Sequence, residues 1–171
     1  VFPAEHVGKI HAAQRLPQPH LKIQLIADAL GEINKNGTRL EMDIYTTDTL
    51  SKKQQLSLNR NGCNVKGALT QSEVISVQKE ADILVFVEGL ENKYKNVARL
   101  SFSTKITDYF QSGKCIFAIG DKEIAPIDYF NRYDSAITAS SYAEVYKKLN
   151  EIIDNPELIN LYGKKSFNCG K

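Results

Sequence analysis

The sequence predicts a three-layer α/β domain with a mostly parallel sheet. Two runs, Ile83 to Val87 (Ile-Leu-Val-Phe-Val) and Cys115 to Ile119 (Cys-Ile-Phe-Ala-Ile), are apolar without a break, as strands covered on both faces must be. Amphipathic helical patterns fall between the strand-like runs, and that alternation implies βαβ units with right-handed crossovers. The 171 residues, 42% hydrophobic and 25% charged, suit a single domain over 1–171 with a sizeable core, and they exclude disordered and collagen-like chains.

Taken in order, Val1 to Val7 reads as the first strand. Leu25, Ile26, Ala29, Leu30 and Ile33 then form one helix face, ended by Asn36-Gly37. Leu40 to Tyr45 is a strand and Val65 to Ala68 a weaker one. Thr70 and Glu73 make a capping box for a helix running to about Glu80. After the Ile83 strand, Ser103 is placed to cap a helix carrying Ile106, Tyr109 and Phe110, with Gly113 at its end. The Cys115 strand and a weak strand over Ala136 to Thr138 follow. Ser141 and Glu144 suggest a second capping box, opening a helix with Tyr142, Val145, Tyr146, Leu149, Ile152 and Ile153 on its core face. Asn155-Pro156 opens a last short helix, with Pro at its first position.

Several function classes are excluded. A net charge of +2 is too small to imply nucleic acid or an anionic membrane. Cys63, Cys115 and Cys169 are odd in number and widely separated, which argues against a zinc site or a disulfide framework and for reduced thiols in the cytoplasm. His6, His11 and His20 lack metal-ligand spacing, so no metal is expected. No signal peptide or transmembrane stretch is visible. There is no P-loop, no Gly-x-Gly-x-x-Gly and no Gly-x-Ser-x-Gly elbow. A chain opening directly in a strand reads as a domain of a longer protein.

In parallel sheets ligands bind beyond the carboxyl ends of the strands, so the loops there matter most. Ser101-Phe-Ser-Thr-Lys105 follows the Ile83 strand. A helix start there offers free N–H groups, and Ser103, Thr104 and Lys105 would add two hydroxyls and an ammonium, a set suited to phosphate. On local pattern alone, plain capping is the better explanation. Lys105 shifts that weighing only a little, because a cation in the first turn opposes the helix dipole and so needs a reason. Asp108, one turn on, could accept from ribose hydroxyls, although a surface acid favoured by the dipole is the simpler reading. Gly8, Lys9 and Arg15 are expected in the loop after the first strand, where glycine lets the backbone approach a ligand and the basic pair could meet phosphate oxygens.

Read together, Ala81-Asp-Ile-Leu-Val-Phe-Val87 and Ser101 to Gly120 resemble the C-terminal, Rossmann-like donor-binding domain of GT-B glycosyltransferases, close to the large retaining, group 1-like family. Val7-Gly8-Lys9, Arg15, Glu32 to Gly37 and Asn155-Pro-Glu-Leu158 extend the likeness over nearly the whole chain. The resemblance implies that Ser103, Thr104 and Lys105 receive the donor diphosphate and that Asp108 holds the ribose. It implies that Lys9 and Arg15 neutralise the phosphates. Gly67, Ala68 and Leu69 would contact the base through their backbone. One departure concerns the sugar end. The family often shows two glutamates with seven residues between them; here Asp108 takes the second position and Leu100 the first.

The resemblance implies a transferase domain for a nucleotide-sugar donor such as a UDP- or GDP-sugar, acting in bacterial surface polysaccharide synthesis. No cofactor is held permanently and no metal is needed. An N-terminal acceptor domain would lie outside this chain, so the chain alone would be inactive, and any association with the inner membrane face would run through that missing domain. Two alternatives stay open: half of a GT-B-like sugar-nucleotide epimerase, which would share the donor site, and a non-enzymatic α/β partner-binding module. A receiver domain is disfavoured, because Tyr45-Thr46, Val87-Glu88 and Ile119-Gly120 at the strand ends supply no acidic cluster.

Overall fold

The structure is a computed structural model that describes residues 6–13, 20–87 and 104–171. Six strands form one parallel sheet: β1 (Gly8–Ala13), β2 (Leu40–Tyr45), β3 (Cys63–Lys66), β4 (Ile83–Val87), β5 (Cys115–Ile119) and β6 (Ile137–Ala139). Their spatial order is β3-β2-β1-β4-β5-β6, the doubly wound arrangement whose chain direction reverses beside β1 and β4. Seven α-helices are described: α1 (His20–Ile33), α2 (Lys52–Leu58), α3 (Gln71–Glu80), α4 (Thr104–Ser112), α5 (Ala125–Arg132), α6 (Tyr142–Asp154) and α7 (Glu157–Cys169). A 3-10 turn over Asn34–Asn36 closes α1, and Gly37, at φ 137°, takes the backbone into a region that other residues resist.

The two faces of the sheet bury separate apolar layers. Ile23, Ile26 and Leu30 of α1 and Val145, Leu149 and Ile152 of α6 pack on one face, against Ile10, Met42, Ile83, Val85 and Phe117. Ile106 and Phe110 of α4 and Ile127 and Phe130 of α5 pack on the other, against Leu84, Phe86, Ile116 and Ala118. Successive residues of β4 and β5 serve opposite layers, which is why both strands are apolar throughout.

Three strands and the Thr70–Glu73 box stand where the sequence puts them. Four expectations shift. The first strand begins at Gly8, with residues 1–5 outside the described set. The third strand ends at Lys66, so Gly67 and Ala68 belong to the loop beyond it. The last helix runs for 13 residues with Pro156 as its N-cap, and is not short. At α6 Ser141 accepts from the Glu144 N–H, but the Glu144 carboxylate bonds to the N–H and hydroxyl of Ser140, one residue before a box partner would stand. Those bonds hold Glu144 below its ordinary value of 4.5. α2 and α5 were not anticipated, and Tyr142 and Tyr146 are not core.

All three cysteines are free thiols. Burial pushes the Cys63 and Cys115 thiols up to about 12, so neither supplies thiolate near neutrality. Cys169 is half-buried and donates to the Tyr129 hydroxyl at 3.4 Å. Native-state labelling with a thiol reagent should therefore modify Cys169 alone, with Cys63 and Cys115 reacting only on unfolding. Fast labelling of all three would show that the sheet opens.

Candidate functional site

The strand ends at the carboxyl edge border a cavity of about 290 Å3. Tyr45 and Thr46 reach it from the end of β2, Ala68 and Leu69 from the loop after β3, Val74 and Gln78 from α3, and Lys105, Asp108 and Tyr109 from α4. Four residues singled out in the sequence, Ala68, Leu69, Lys105 and Asp108, thus line one hollow. They come from segments nearly forty residues apart, brought together because α3 crosses back over the sheet from β3 to β4 and meets α4 there.

Each wall has a local cause. Tyr45 ends β2 half-buried, its ring edge-on to His11 at 5.8 Å between centroids. His11, 4% exposed, is fixed in turn by donating from Nδ1 to the Val77 carbonyl at 2.8 Å. Burial, then the carboxylates of Asp43 and Glu80, raises the Tyr45 phenol above its ordinary value, so the ring is neutral at pH 7. The buried Tyr109 donates to the Val85 carbonyl at 3.1 Å, which ties α4 to β4. Thr46 donates to Asp48 and accepts the Asp48 N–H, a local turn that leads the chain away from β2. The Gln78 amide makes no hydrogen bond to another described residue. The cavity therefore joins an apolar lining to one open amide, one ammonium and one carboxylate.

The other residues singled out are not brought in. Gly8 and Lys9 open β1 instead of following it. They stand at the amino edge, where the Lys9 N–H donates to Asp82, just before β4, and they correct the expectation of a phosphate-facing loop. The reason is the strand boundary: the run over Val1 to Val7 looks like a strand by pattern, but the paired strand begins at Gly8. After β1, the chain instead brings Lys22 toward the carboxyl edge, in the first turn of α1. Gly67 is exposed beside the cavity, with nothing within 4 Å of where a side chain would start. Arg15, Leu100, Ser101 and Ser103 lie outside the described residues; Thr104 is the first residue of α4, with its side chain outside them. Tyr45, Val74, Gln78 and Tyr109 were not singled out for the site. Tyr45 could have been, since it ends a strand at the edge where ligands bind.

A parallel sheet of this order with a cavity at its carboxyl edge defines a Rossmann-like α/β domain. Its fold is shared with solved C-terminal domains of GT-B, group 1 glycosyltransferases. The C-terminal domain of the glycosyl transferase group 1 family protein LpcC from Francisella tularensis superposes with a TM-score of 0.70 at 14% identity, over 98% of this chain and 85% of that one. TarM of S. aureus gives 0.71 at 14% identity, over 99% of this chain and 32% of TarM. HepE from Anabaena, solved in complex with UDP-glucose, gives 0.70 at 12% identity, over 95% of this chain and 43% of HepE. The chain thus spans about a third of TarM and less than half of HepE. No protein-family model matches the sequence, nor does any curated protein. Among the described residues no helix is long and apolar enough to cross a membrane.

Proposed function

We propose that the chain is the nucleotide-sugar-binding domain of a glycosyltransferase of bacterial surface polysaccharide synthesis, with the acceptor domain supplied by another part of the same protein. The observation that carries this reading is the convergence of Ala68, Leu69, Lys105 and Asp108 on one cavity at the carboxyl edge. In the proposed complex the base lies against the loop after β3, beside Tyr45 and Gln78. Asp108 accepts from the ribose hydroxyls and Lys105 meets the diphosphate. Ser103, Thr104 and Arg15 keep their phosphate roles on the resemblance alone; Gly8 and Lys9 have none.

The chemistry follows from charge. Breaking the bond between sugar and diphosphate leaves negative charge growing on the phosphate oxygens. Free N–H groups at the start of α4, with Lys105, are suited to stabilise that charge without a metal. Without an acceptor domain the chain is expected to bind nucleotide weakly and to transfer no sugar.

Calorimetric titration with UDP, UMP, GDP and uridine tests the reading. UDP or GDP should bind, and Lys105→Ala should weaken nucleoside-diphosphate binding by about tenfold or more, the scale of one charge-assisted hydrogen bond, while uridine is little affected. No heat with any nucleotide at millimolar concentration would sink the assignment. Equal losses for UDP and uridine would remove Lys105 from the phosphates.

A further inference from the structure

A second hollow, of about 590 Å3, lies at the opposite side of the domain and shares no residue with the first. It sits where α1 ends and where Asn59, Arg60 and Asn61 lead into β3, beside Tyr142 at the start of α6. Its volume falls in the range of small-molecule sites, about 300–1,000 Å3.

Three observations make it more than a surface dip. The first is Gly31, which lines it from within α1. A glycine inside a helix costs about 0.5–1 kcal/mol relative to alanine. Packing gives no reason for it, since a Cβ there would meet only the Arg60 Cβ, at an ordinary 3.7 Å. The second is the pair Tyr142 and Tyr146. Their spacing predicts core positions, yet they are 40% and 41% exposed. Val145, Leu149 and Ile152 hold the centre of the buried stripe and leave the tyrosines at its margin, with rings stacked at 27° and 6.2 Å between centroids. The third is the state of the polar groups. The charges are already matched: Asp28 takes the Gln24 amide at 2.8 Å and lies 3.5 Å from Arg60, and Glu32 pairs with Lys35. What is left open is neutral. Among the described residues the Tyr142 hydroxyl and the Asn61 amide make no hydrogen bond, and Asn59 uses only its Oδ1, on the Val65 N–H.

An aromatic face, open amides and a hydroxyl, with every charge matched, fit a ligand that is uncharged, hydroxylated and apolar on one ring face. We propose that this hollow binds a neutral oligosaccharide, with a sugar ring on Tyr142, its hydroxyls on Asn59 and Asn61, and Gly31 leaving the floor open. The site stands apart from the donor cavity and does not depend on the donor reading. In a polysaccharide-building enzyme it would hold a glycan chain away from the reacting end.

The chain should be screened on an array of neutral gluco-, galacto-, manno- and N-acetylglucosamine oligosaccharides, with choline and inorganic phosphate as charged probes, and hits titrated by calorimetry. At least one neutral oligosaccharide should bind, UDP should not compete, and Tyr142→Ala and Gly31→Gln should each weaken it about tenfold, the worth of one aromatic contact. Gly31→Gln replaces glycine with a good helix former, so it should melt no lower than the parent and decides the matter if Tyr142→Ala does not fold. No neutral oligosaccharide bound at millimolar concentration, binding of charged probes only, competition by UDP, or affinity unchanged in Gly31→Gln would each overturn the proposal.

Discussion

Phe130→Ala is expected to destabilise the domain by about 4 kcal/mol, within the range for truncating a buried phenylalanine. Phe130 is fully buried. Its ring meets Phe86 of β4 at 5.4 Å and 79°, and Phe110 of α4 at 6.0 Å and 87°, both edge-on. Such pairs add about 0.5–1.5 kcal/mol each beyond their buried area. Removing the ring opens a cavity between the sheet and two helices, and neither neighbour can collapse into it without leaving the other. In a chain of this size 4 kcal/mol corresponds to roughly 8–16 °C of melting temperature. The substitution also reaches the proposed donor cavity, because Phe110 and Ile106 anchor the helix that carries Lys105 and Asp108. Phe130→Leu, which refills most of the volume, should recover most of the loss. A thermal melt of both variants checks this, and a drop under about 1 kcal/mol for alanine would mean that the layer repacks freely.

How much of this was legible follows from how each element is buried. β4 and β5 are apolar on both faces, so their ends could be read to the residue. β1 could not, because His11 and Lys9 interrupt the pattern while the more apolar-looking start of the chain competes with it. β3 carries exposed Asn64 and Lys66, which blurs its end and drew Ala68 into the strand. α2 buries only Leu58, so it has no apolar stripe to find. Its start was nonetheless available: Ser51 and Gln54 form a full capping box, the same signature that marked Thr70 and Glu73. At the cavity, Lys105 and Asp108 were legible by chemistry of their own, and Ala68 and Leu69 through the family resemblance alone. Tyr45 and Gln78 join them only through the strand order, which places the ends of β2 and β3 against the crossing of α3 and α4. No local pattern encodes that order.

Asn34→Ala is expected to cost about 3 kcal/mol. Asn34 is 5% exposed, in the turn between α1 and β2, and its side chain serves as missing backbone. Nδ2 donates to the Leu40 carbonyl and to the Asn61 carbonyl, each at 2.9 Å, and Oδ1 accepts the Arg39 N–H at 2.8 Å. Oδ1 also accepts the Leu40 N–H at 3.4 Å. Alanine removes all four bonds and leaves buried backbone groups unpaired, at about 1–3 kcal/mol for each one that water cannot reach. Gly62 shows how closely the turn and the next loop approach. It sits at φ +87°, where a Cβ would collide with the Asn34 amide and lie 2.8 Å from the Leu40 carbonyl oxygen. Asn34→Asp should rescue little. Its carboxylate keeps the acceptor for Arg39 but turns an oxygen toward two carbonyl oxygens. Urea unfolding should show a lower midpoint at unchanged slope. The two hollows should then respond differently. Asn61, which lines the proposed saccharide site, loses the tether of its carbonyl, so saccharide binding should weaken well below the unfolding midpoint, while UDP binding at the proposed donor cavity holds. A loss of both together would mean that the turn supports the whole sheet and not one corner of it.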